Sequence, residues 1–419
     1  MKLVTAIALT LSFLACSIAA GAGFKLTPTG ESTDPGFIEI TGVEAGEFDP
    51  GLWQAGSLNL LPDIRSPLIE PLPGKFRNIY APSAVETPGG WRVFYGAWDG
   101  VPTSNDRIYS VNTRDFLSFT KRHTVIEHGV FQHVCNVSAV TTASGGFALL
   151  CTVYPDARGL NKPAFFTSPD GDTWNGSPTP CIATSNDIIR IHGYEKYADA
   201  DINGMNVLLR EGDRFRTYFS NFKDFGRVYR ASGTNGRDFQ FEGVALSAKA
   251  VPNDVKVFRV GTTNWYLMGL HLNGAQTWFS LSPDGLNFAP IQPLFTNASP
   301  AERYIVAVGW VTRGEQEQAG RRLLGVLHGA GAKPSLDANR IFARWLQPRI
   351  ILRTADGRAF SGTHARGPAR QLIPLTEAEV SNVELFDESG TQECGQLKSQ
   401  HLQPGRVYRL ERFTRPGIN

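Results

Sequence analysis

A short turn motif recurs along this chain and limits the folds that are open to it. The motif is Ser or Thr, any residue, Asp-Gly, two further residues and an aromatic residue. Asp-Gly and Asn-Gly pairs are strong hairpin signals because the turn needs residues that accept a positive φ. Clear copies occupy residues 168–174, 282–288 and 354–360, and degenerate copies occupy residues 113–119 and 233–239.

Strand-like runs precede each copy at a similar spacing. The nearest runs are residues 107–111, 163–166, 227–231, 276–281 and 340–352. Ahead of them lie residues 91–96, 147–153, 215–220, 265–270 and 322–327, and earlier still come inner runs such as residues 81–85 and 136–140. Four strands repeated radially form a propeller blade, and a closed ring leaves no open edge. We therefore predict an all-β, five-bladed β-propeller of four-stranded antiparallel blades; the alternative is a two-domain β-sandwich with coincidental turns.

The two ends of the chain flank this repeat. We assign residues 23–360 to the propeller, with residues 24–72 supplying a closing strand and a loop that leads into the first blade. Residues 361–419 contain strand-like runs at 382–386 and 407–413. We predict that they form a short C-terminal β extension or take part in ring closure.

The amino terminus is typical of a signal peptide. Lys2 is followed by an apolar run over residues 3–14 and by small residues up to Ala22. We predict cleavage near Ala20–Ala22 and a secreted or periplasmic protein, with residues 1–22 removed. The alternative is a lipoprotein anchored through Cys16. No later run approaches the length of a membrane-spanning helix.

Charge and cysteine content exclude some functions. Lys plus Arg total 41 and Asp plus Glu total 39, a net charge of +2, so nucleic acid is not an expected partner. Without Cys16 the cysteines are Cys135, Cys151, Cys181 and Cys394, which we take as structural; their spacing matches no zinc motif and leaves their pairing open. We expect a monomer.

The first blade carries a family resemblance. Residues 78–85 read Asn-Ile-Tyr-Ala-Pro-Ser-Ala-Val and residues 91–96 read Trp-Arg-Val-Phe-Tyr-Gly. These strings resemble the second blade of five-bladed propeller glycoside hydrolases, the arabinanase, arabinofuranosidase, xylosidase and fructosidase group, and the Ser-Pro-Asp-Gly turns are similar too. The resemblance covers most of residues 75–360. It departs at Ser83, where the arabinanase-like pattern has an Asp that tunes the general acid, so it implies a divergent member.

Polar residues near the starts of inner strands, and in the loops between second and third strands, are expected to meet at one mouth of the channel. Glycoside hydrolysis needs two carboxylates beside the scissile bond. We predict Asp201 or Asp199 as the acid, because their apolar neighbours could raise a pKa. Asp63 or Asp254 would be the base, and Asp99 is the next candidate. Asp106 and Arg107 fall in the same loop region as Asp99.

A wider set of residues is predicted to bind the sugar. It comprises Arg77, Asn78, Trp98, His133, Tyr154, Asp156, Arg158, Lys256, His271, Arg303 and His328. No metal motif occurs in the sequence and no cofactor is required. The family resemblance nevertheless implies that a calcium ion could lie in the channel near His271 or His328.

These features together predict an exported glycoside hydrolase that acts on a polysaccharide or oligosaccharide, with an arabinan-like pentose polymer as the first candidate. One alternative is a non-catalytic carbohydrate-binding propeller, which the Ser83 departure favours. Another is a polysaccharide lyase that uses His133, Tyr154 and Arg158.

Overall fold

The computed structural model of the protein describes residues 22–56, 58–155, 160–334, 338–354, 356–375, 378–386 and 392–414. The predicted signal peptide, apart from Ala22, lies outside these residues, as do Asp156 and Arg158. The helices are short: an α-helix at Pro50–Ala55 and 3-10 turns at Ser185–Asp187, Phe222–Asp224 and Pro300–Glu302. In the described part of the chain no helix is long and apolar enough to cross a membrane.

Five sheets follow one another along the chain as blades 1 to 5. Blade 1 consists of Phe76–Thr87, Gly90–Val101, Arg107–Thr113 and His123–Glu127, with Cys181–Ile182 added in parallel. Blade 2 consists of His133–Thr141, Phe147–Tyr154 and Lys162–Ser168, followed by the small hairpin Thr173–Trp174 and Ser177–Pro178. Blade 3 consists of Val207–Glu211, Arg214–Ser220, Arg227–Gly233 and Asp238–Ser247, with Arg190–His192 added in parallel.

The last two blades close the ring. Blade 4 consists of Val251–Val260, Thr263–His271, Gln276–Ser282 and Gln292–Thr296. Blade 5 consists of Tyr304–Arg313, Arg322–Gly331 and Arg340–Leu346, and its fourth strand is the N-terminal segment Leu60–Pro62. The first strand of each blade contacts the first strand of the next blade. The first strand of blade 5 in turn contacts the first strand of blade 1, which closes the ring. The predicted five-bladed β-propeller is confirmed, with blades of three to five strands.

Both ends of the chain build a further sheet of nine strands. Ala22–Glu31 runs antiparallel to Arg406–Thr414, which pairs in parallel with Phe37–Thr41. The other strands are Arg349–Thr354, Ala359–Ser361, His364–Ala365, Arg370–Pro374, Ala378–Phe386 and Gln392–Leu402. The C-terminal β extension therefore supplies five of these nine strands, and residues 22–41 supply two. The apolar face of the sheet buries Phe24, Ile38, Ile350, Ile373 and Leu410.

The prediction that residues 354–360 form a turn within a propeller blade was wrong. The motif at residues 354–360 joins two strands of the nine-stranded sheet, and the run at 340–352 is split between blade 5 and that sheet. By contrast, Asp170 and Asp284 have the predicted turn role. In the first of these turns Asp170 Oδ1 accepts hydrogen bonds from the N–H groups of Asp172 and Thr173, at 2.8 and 2.7 Å. A carboxylate satisfied in this way is structural.

Side chains at matching places on the first strands join neighbouring blades. Ser83 Oγ accepts from the N–H of Ala139 in blade 2 at 3.0 Å, and Ser138 Oγ accepts from the N–H of Leu208 in blade 3 at 3.0 Å. Blade 5 has Gly309 at this position, where a Cβ would lie 2.0 Å from the Pro82 carbonyl oxygen. Ser83 therefore holds blade 2 at the place where the arabinanase-like pattern has a carboxylate.

Candidate active site at the channel mouth

An acid and a histidine from neighbouring blades meet at the mouth of the channel. Asp106 directly precedes the third strand of blade 1, and His133 opens the first strand of blade 2. Asp106 Oδ2 lies 2.9 Å from His133 Nδ1, and the His133 side chain remains 19% exposed. Burial raises the pKa of Asp106, although His133, Tyr80 and Arg107 act in the opposite direction. Because the Asp106 carboxyl resists ionisation, the Asp106–His133 pair can retain a proton.

Two β-bulges shape the channel wall beside this pair. The register shifts between Tyr80 and Ser83 in blade 1 and between Cys135 and Ser138 in blade 2. Within the bulges Ala81 and Asn136 have φ of 52° and 56°. Bulges change the direction of side chains along a strand, and these two lie at equivalent points of adjacent blades.

Two protonated tyrosines, Tyr80 and Tyr154, lie beside the Asp106–His133 pair. Burial raises the pKa of both Tyr80 and Tyr154 well above the usual value, and the negative charge on Asp106 acts in the same direction. The Tyr154 hydroxyl donates to Asn203 Oδ1 at 2.6 Å. Cys135 is a buried thiol beside them, with a pKa raised by burial. The tyrosines can donate hydrogen bonds, but they are poorly suited to act as bases near neutral pH.

Aromatic rings line the approach to the pair. The half-buried Trp98 lies with its ring centroid 6.5 Å from that of His133 and 5.8 Å from that of Phe76. Tyr154 meets His133 edge to face, with centroids 5.4 Å apart. Apolar ring faces beside polar groups are typical of pockets that bind small polar ligands.

Asp201 lies on the same face, beyond Tyr154. It is half-buried, and its Oδ1 accepts from Asn161 Nδ2 at 2.7 Å and from the Asn161 N–H at 3.2 Å. Asn203, two residues further on, accepts the Tyr154 hydroxyl bond. Asp199 is exposed in the preceding turn, where Lys162 Nζ donates to the carbonyl oxygens of residues 197, 198 and 200.

The other three predicted carboxylates lie in structural contacts away from this pair. Asp99 accepts from the Tyr95 hydroxyl at 2.7 Å and is bonded to Arg122 and the Leu72 N–H. Asp63 accepts from the Trp345 indole at 2.7 Å, from the Gly367 N–H and from Arg65. Asp254 accepts from the Trp310 N–H at 2.9 Å and from Lys256 at 2.8 Å. Asp63 thus joins blade 5 to the nine-stranded sheet, and Asp254 joins blade 4 to blade 5.

The predicted sugar-binding residues are also dispersed. The structure brings together Trp98, His133 and Tyr154. Arg77 donates to the carbonyl oxygens of Pro71 and Leu72, and the buried Asn78 accepts from the Asn339 N–H at 3.1 Å. Arg303 is exposed over the Tyr304 ring. Lys256 lines the opposite end of the channel.

The two histidines that the resemblance associates with calcium are both buried. His271 Nδ1 lies 2.8 Å from Nδ2 of Asn253. His328 Nε2 lies 2.7 Å from Glu302 Oε2, while Arg344 holds the other oxygen at 3.0 Å. Among the described residues no group of three or more His, Cys, Asp or Glu could hold a metal ion. Calcium takes about six to eight oxygen ligands, so these surroundings do not fit it.

Burial of His271 predicts a pH-dependent stability. Its pKa is lowered to about 4 by burial. Between that value and the unfolded pKa of about 6.5 only the unfolded chain binds the proton, so the free energy of unfolding should fall as pH falls. We expect His271 to contribute a loss of about 2 kcal/mol between pH 7 and pH 5. Urea unfolding of the wild type and of His271→Gln at both pH values measures this; an equal pH effect in the two proteins would contradict it.

The structure adds residues that the sequence analysis did not select for the site. They are Asp106, Tyr80, Cys135 and Asn203. Asp106 has a usable signal, since it is the last residue before the third strand of blade 1. Tyr80 and Cys135 have no such signal, because an inner-strand residue can face either the channel or a neighbouring blade. Of the cysteines, Cys135, Cys151 and Cys181 are buried and free, and the side chain of Cys394 lies outside the described residues.

Comparison with known proteins agrees with this architecture. No protein-family model matches the sequence, and no curated protein matches it. A structure from Bacteroides thetaiotaomicron, described provisionally as a glycosidase, is 14% identical with a TM-score of 0.50 and covers 72% of this chain and 99% of that chain. The GH62 α-L-arabinofuranosidase of Coprinopsis cinerea is 15% identical with a TM-score of 0.48 and covers 69% of this chain and 97% of that chain.

A third similar structure is the GH32 β-fructofuranosidase BmSUC1 of Bombyx mori. It is 11% identical with a TM-score of 0.46 and covers 87% of this chain and 97% of that chain. The likeness to the Bacteroides thetaiotaomicron structure supports the family resemblance at the level of fold. Fold alone leaves the reaction to be argued from the site.

Proposed function

We propose that this chain is an exported glycoside hydrolase that cleaves a polysaccharide at the channel mouth, with an arabinan-like pentose polymer as the first candidate substrate. The observation that carries the proposal is the Asp106–His133 pair, which combines a carboxyl of raised pKa with a partly exposed imidazole. Trp98 beside the pair supports the binding of a sugar ring.

Each group has a role in this proposal. The pair supplies the proton for the leaving oxygen, and His133 presents it through Nε2, because Nδ1 faces Asp106. Asp106 orients the ring, and its protonated carboxyl can return a proton to Nδ1 when His133 delivers one from Nε2. Asp201 supplies the second carboxylate, which activates water or stabilises positive charge on the sugar. Tyr154 and Asn203 donate and accept hydrogen bonds between the two.

A polysaccharide lyase is the second candidate. The edge-to-face contact of His133 and Tyr154 favours it, because elimination from a uronate needs a base and a nearby proton donor. The raised pKa of Tyr154 leaves His133 as the base in that reaction. We rank it below hydrolysis because Asp201 offers a second carboxylate at the same mouth.

Product release tests these proposals together. The purified chain is incubated with arabinans, xylans, fructans and uronate polymers, and the soluble sugars are separated by chromatography. We expect oligosaccharides from one polymer without a new ultraviolet absorbance. Products that absorb near the ultraviolet edge would replace the hydrolase by a lyase. Retardation of the protein in a gel that contains one polymer, with no products, would indicate a binding module instead.

A further inference from the structure

The end of the channel opposite the mouth contains a cavity of about 1000 Å³. The first strands of all five blades line it. They contribute Val85, Val140, Leu209, Val255 and Thr312 respectively. The cavity therefore lies across the axis of the ring, and a molecule the size of a sugar could fit within it.

Four cationic residues line this cavity: Arg92, Arg210, Lys256 and Arg321. Arg92 is paired with Asp172 at 2.9 Å. Arg321 is 9% exposed and Lys256 is 6% exposed. Lys256 is paired with Asp254 at 2.8 Å. In the part of the chain that the structure describes, neither Arg210 nor Arg321 forms an ion pair.

Arg210 and Arg321 differ from the other described arginines whose Nε atom is buried. Six arginines have a buried Nε without a hydrogen-bond acceptor among the described residues: Arg210, Arg216, Arg230, Arg321, Arg344 and Arg366. In four of them the guanidinium forms an ion pair with a carboxylate. Among the described residues, Arg210 and Arg321 form no such ion pair, and both line the same cavity. A guanidinium with little access to water and no counter-ion is costly, so an anionic ligand in the cavity is a physical explanation for the two arginines.

The remaining contacts of these arginines come from uncharged atoms. Arg321 donates to the Val257 carbonyl oxygen at 2.7 Å and to Thr312 Oγ1 at 3.0 Å. Arg210 donates to the Gly212 carbonyl oxygen at 2.9 Å. Burial lowers the pKa of Arg321 to about 10, which leaves it charged near neutral pH.

Of the carboxylates near the arginines, Glu86 and Asp254 have other partners, and Asp170 is bonded within its own turn. Glu86 Oε2 accepts from the Gly314 N–H at 2.7 Å, and Asp254 accepts from Lys256 and the Trp310 N–H. Glu315, in the connection from blade 5, also lines the cavity. In that connection the Gln316 side chain donates to the Arg210 carbonyl oxygen in blade 3. The connection therefore spans part of the channel end and partly encloses the cavity.

We propose that this cavity binds a small molecule bearing an oxyanion, such as a carboxylate, phosphate or sulfate group, held by Arg210 and Arg321 with Lys256 beside them. Guanidinium groups match the geometry of these oxyanions and can donate two parallel hydrogen bonds. The site lies at the other end of the channel from the Asp106–His133 pair, and it does not depend on the reaction proposed there.

Thermal unfolding of the purified chain tests the site. Inorganic phosphate, sulfate and galacturonate are titrated separately at constant ionic strength against chloride. We expect a saturable rise in Tm with at least one of them, and the response shows whether phosphate, sulfate or carboxylate is preferred. Phosphate and sulfate also stabilise proteins by exclusion from their surfaces, but that effect does not saturate.

Variants separate binding at the site from general stabilisation. Arg210→Gln should weaken binding by about tenfold or more, as expected for the loss of a charged hydrogen bond. Arg321→Gln should do the same; because Arg321 is buried and its variant could fail to fold, Arg210→Gln carries the test. The control is Arg259→Gln, whose exposed side chain lies outside the cavity and which should bind as the wild type does. An unchanged response in Arg210→Gln, or no saturable response to any of the three anions, would overturn the proposal.

Discussion

Asp106→Asn is expected to lower kcat on the cleaved polymer by about 10²–10⁴-fold while KM changes little. The amide cannot share a proton with His133, so it cannot replace the proton that the imidazole delivers. The measurement is steady-state hydrolysis of the polymer identified by product release. Because burial raises the pKa of Asp106 and its acid form is required, wild-type kcat should also fall as pH rises through that pKa, and this limb should be absent from the variant.

A matched variant separates chemistry from folding. Asp213→Asn changes an exposed carboxylate in the first hairpin of blade 3 and should leave kcat within about twofold, as surface changes usually do. Both variants should bind the polymer as the wild type does in a retardation gel. If Asp106→Asn kept more than a third of the wild-type kcat, that result would contradict the proposal that the Asp106–His133 pair is the acid. The chain could still be a hydrolase that uses other groups.

Glu302→Gln is expected to lower the free energy of unfolding by about 3–5 kcal/mol, as is typical when one partner of a buried ion network is removed. Glu302 lies between blades 4 and 5, where it accepts from His328, from Arg344 and from the Ala298 N–H. Burial opposes its ionisation, but His328 and Arg344 outweigh that effect and lower its pKa. The neutral amide would leave the buried Arg344 guanidinium uncompensated.

Urea unfolding at pH 7 measures this loss. The control is Glu44→Gln, which removes an exposed carboxylate bonded to Arg313 and Arg322 and should cost less than about 1 kcal/mol. The double variant Glu302→Gln/Arg344→Met should be less destabilised than the sum of the two single changes, because it removes the uncompensated charge. A loss below 1 kcal/mol in Glu302→Gln would mean that water or a rearranged side chain already satisfies Arg344.

The blade pattern could be predicted because its signals are local. An Asp-Gly turn forms its own hydrogen bonds, as the contacts of Asp170 with Asp172 and Thr173 show, and the strands beside it follow directly. The same local signal cannot tell which sheet a hairpin joins. Residues 354–360 form the expected turn but belong to the nine-stranded sheet, where residues far away in the chain provide the partner strands.

The site was less predictable for a related reason. The position of a residue along a blade indicates which end of the channel it lies near. It does not reveal which carboxylates already accept hydrogen bonds from other parts of the fold. Asp63, Asp99 and Asp254 each accept several bonds from partners distant in sequence, such as Trp345, Arg122 and Trp310. The pairing of Asp106 with His133 likewise depends on the contact between two blades, and neither residue carries a sequence signal for the other.

The placement of the two chain ends has a consequence for the timing of folding. Ala22 pairs with Thr414, and the fourth strand of blade 5 is supplied by Leu60–Pro62. Contacts between such distant parts of a chain are slow to form because a very long loop must close first. During synthesis, these N-terminal strands lack their partners until residues 344–346 and 406–414 have emerged from the ribosome. Until then the ring cannot close and the nine-stranded sheet cannot form, so these parts of the chain stay unfolded for most of its synthesis.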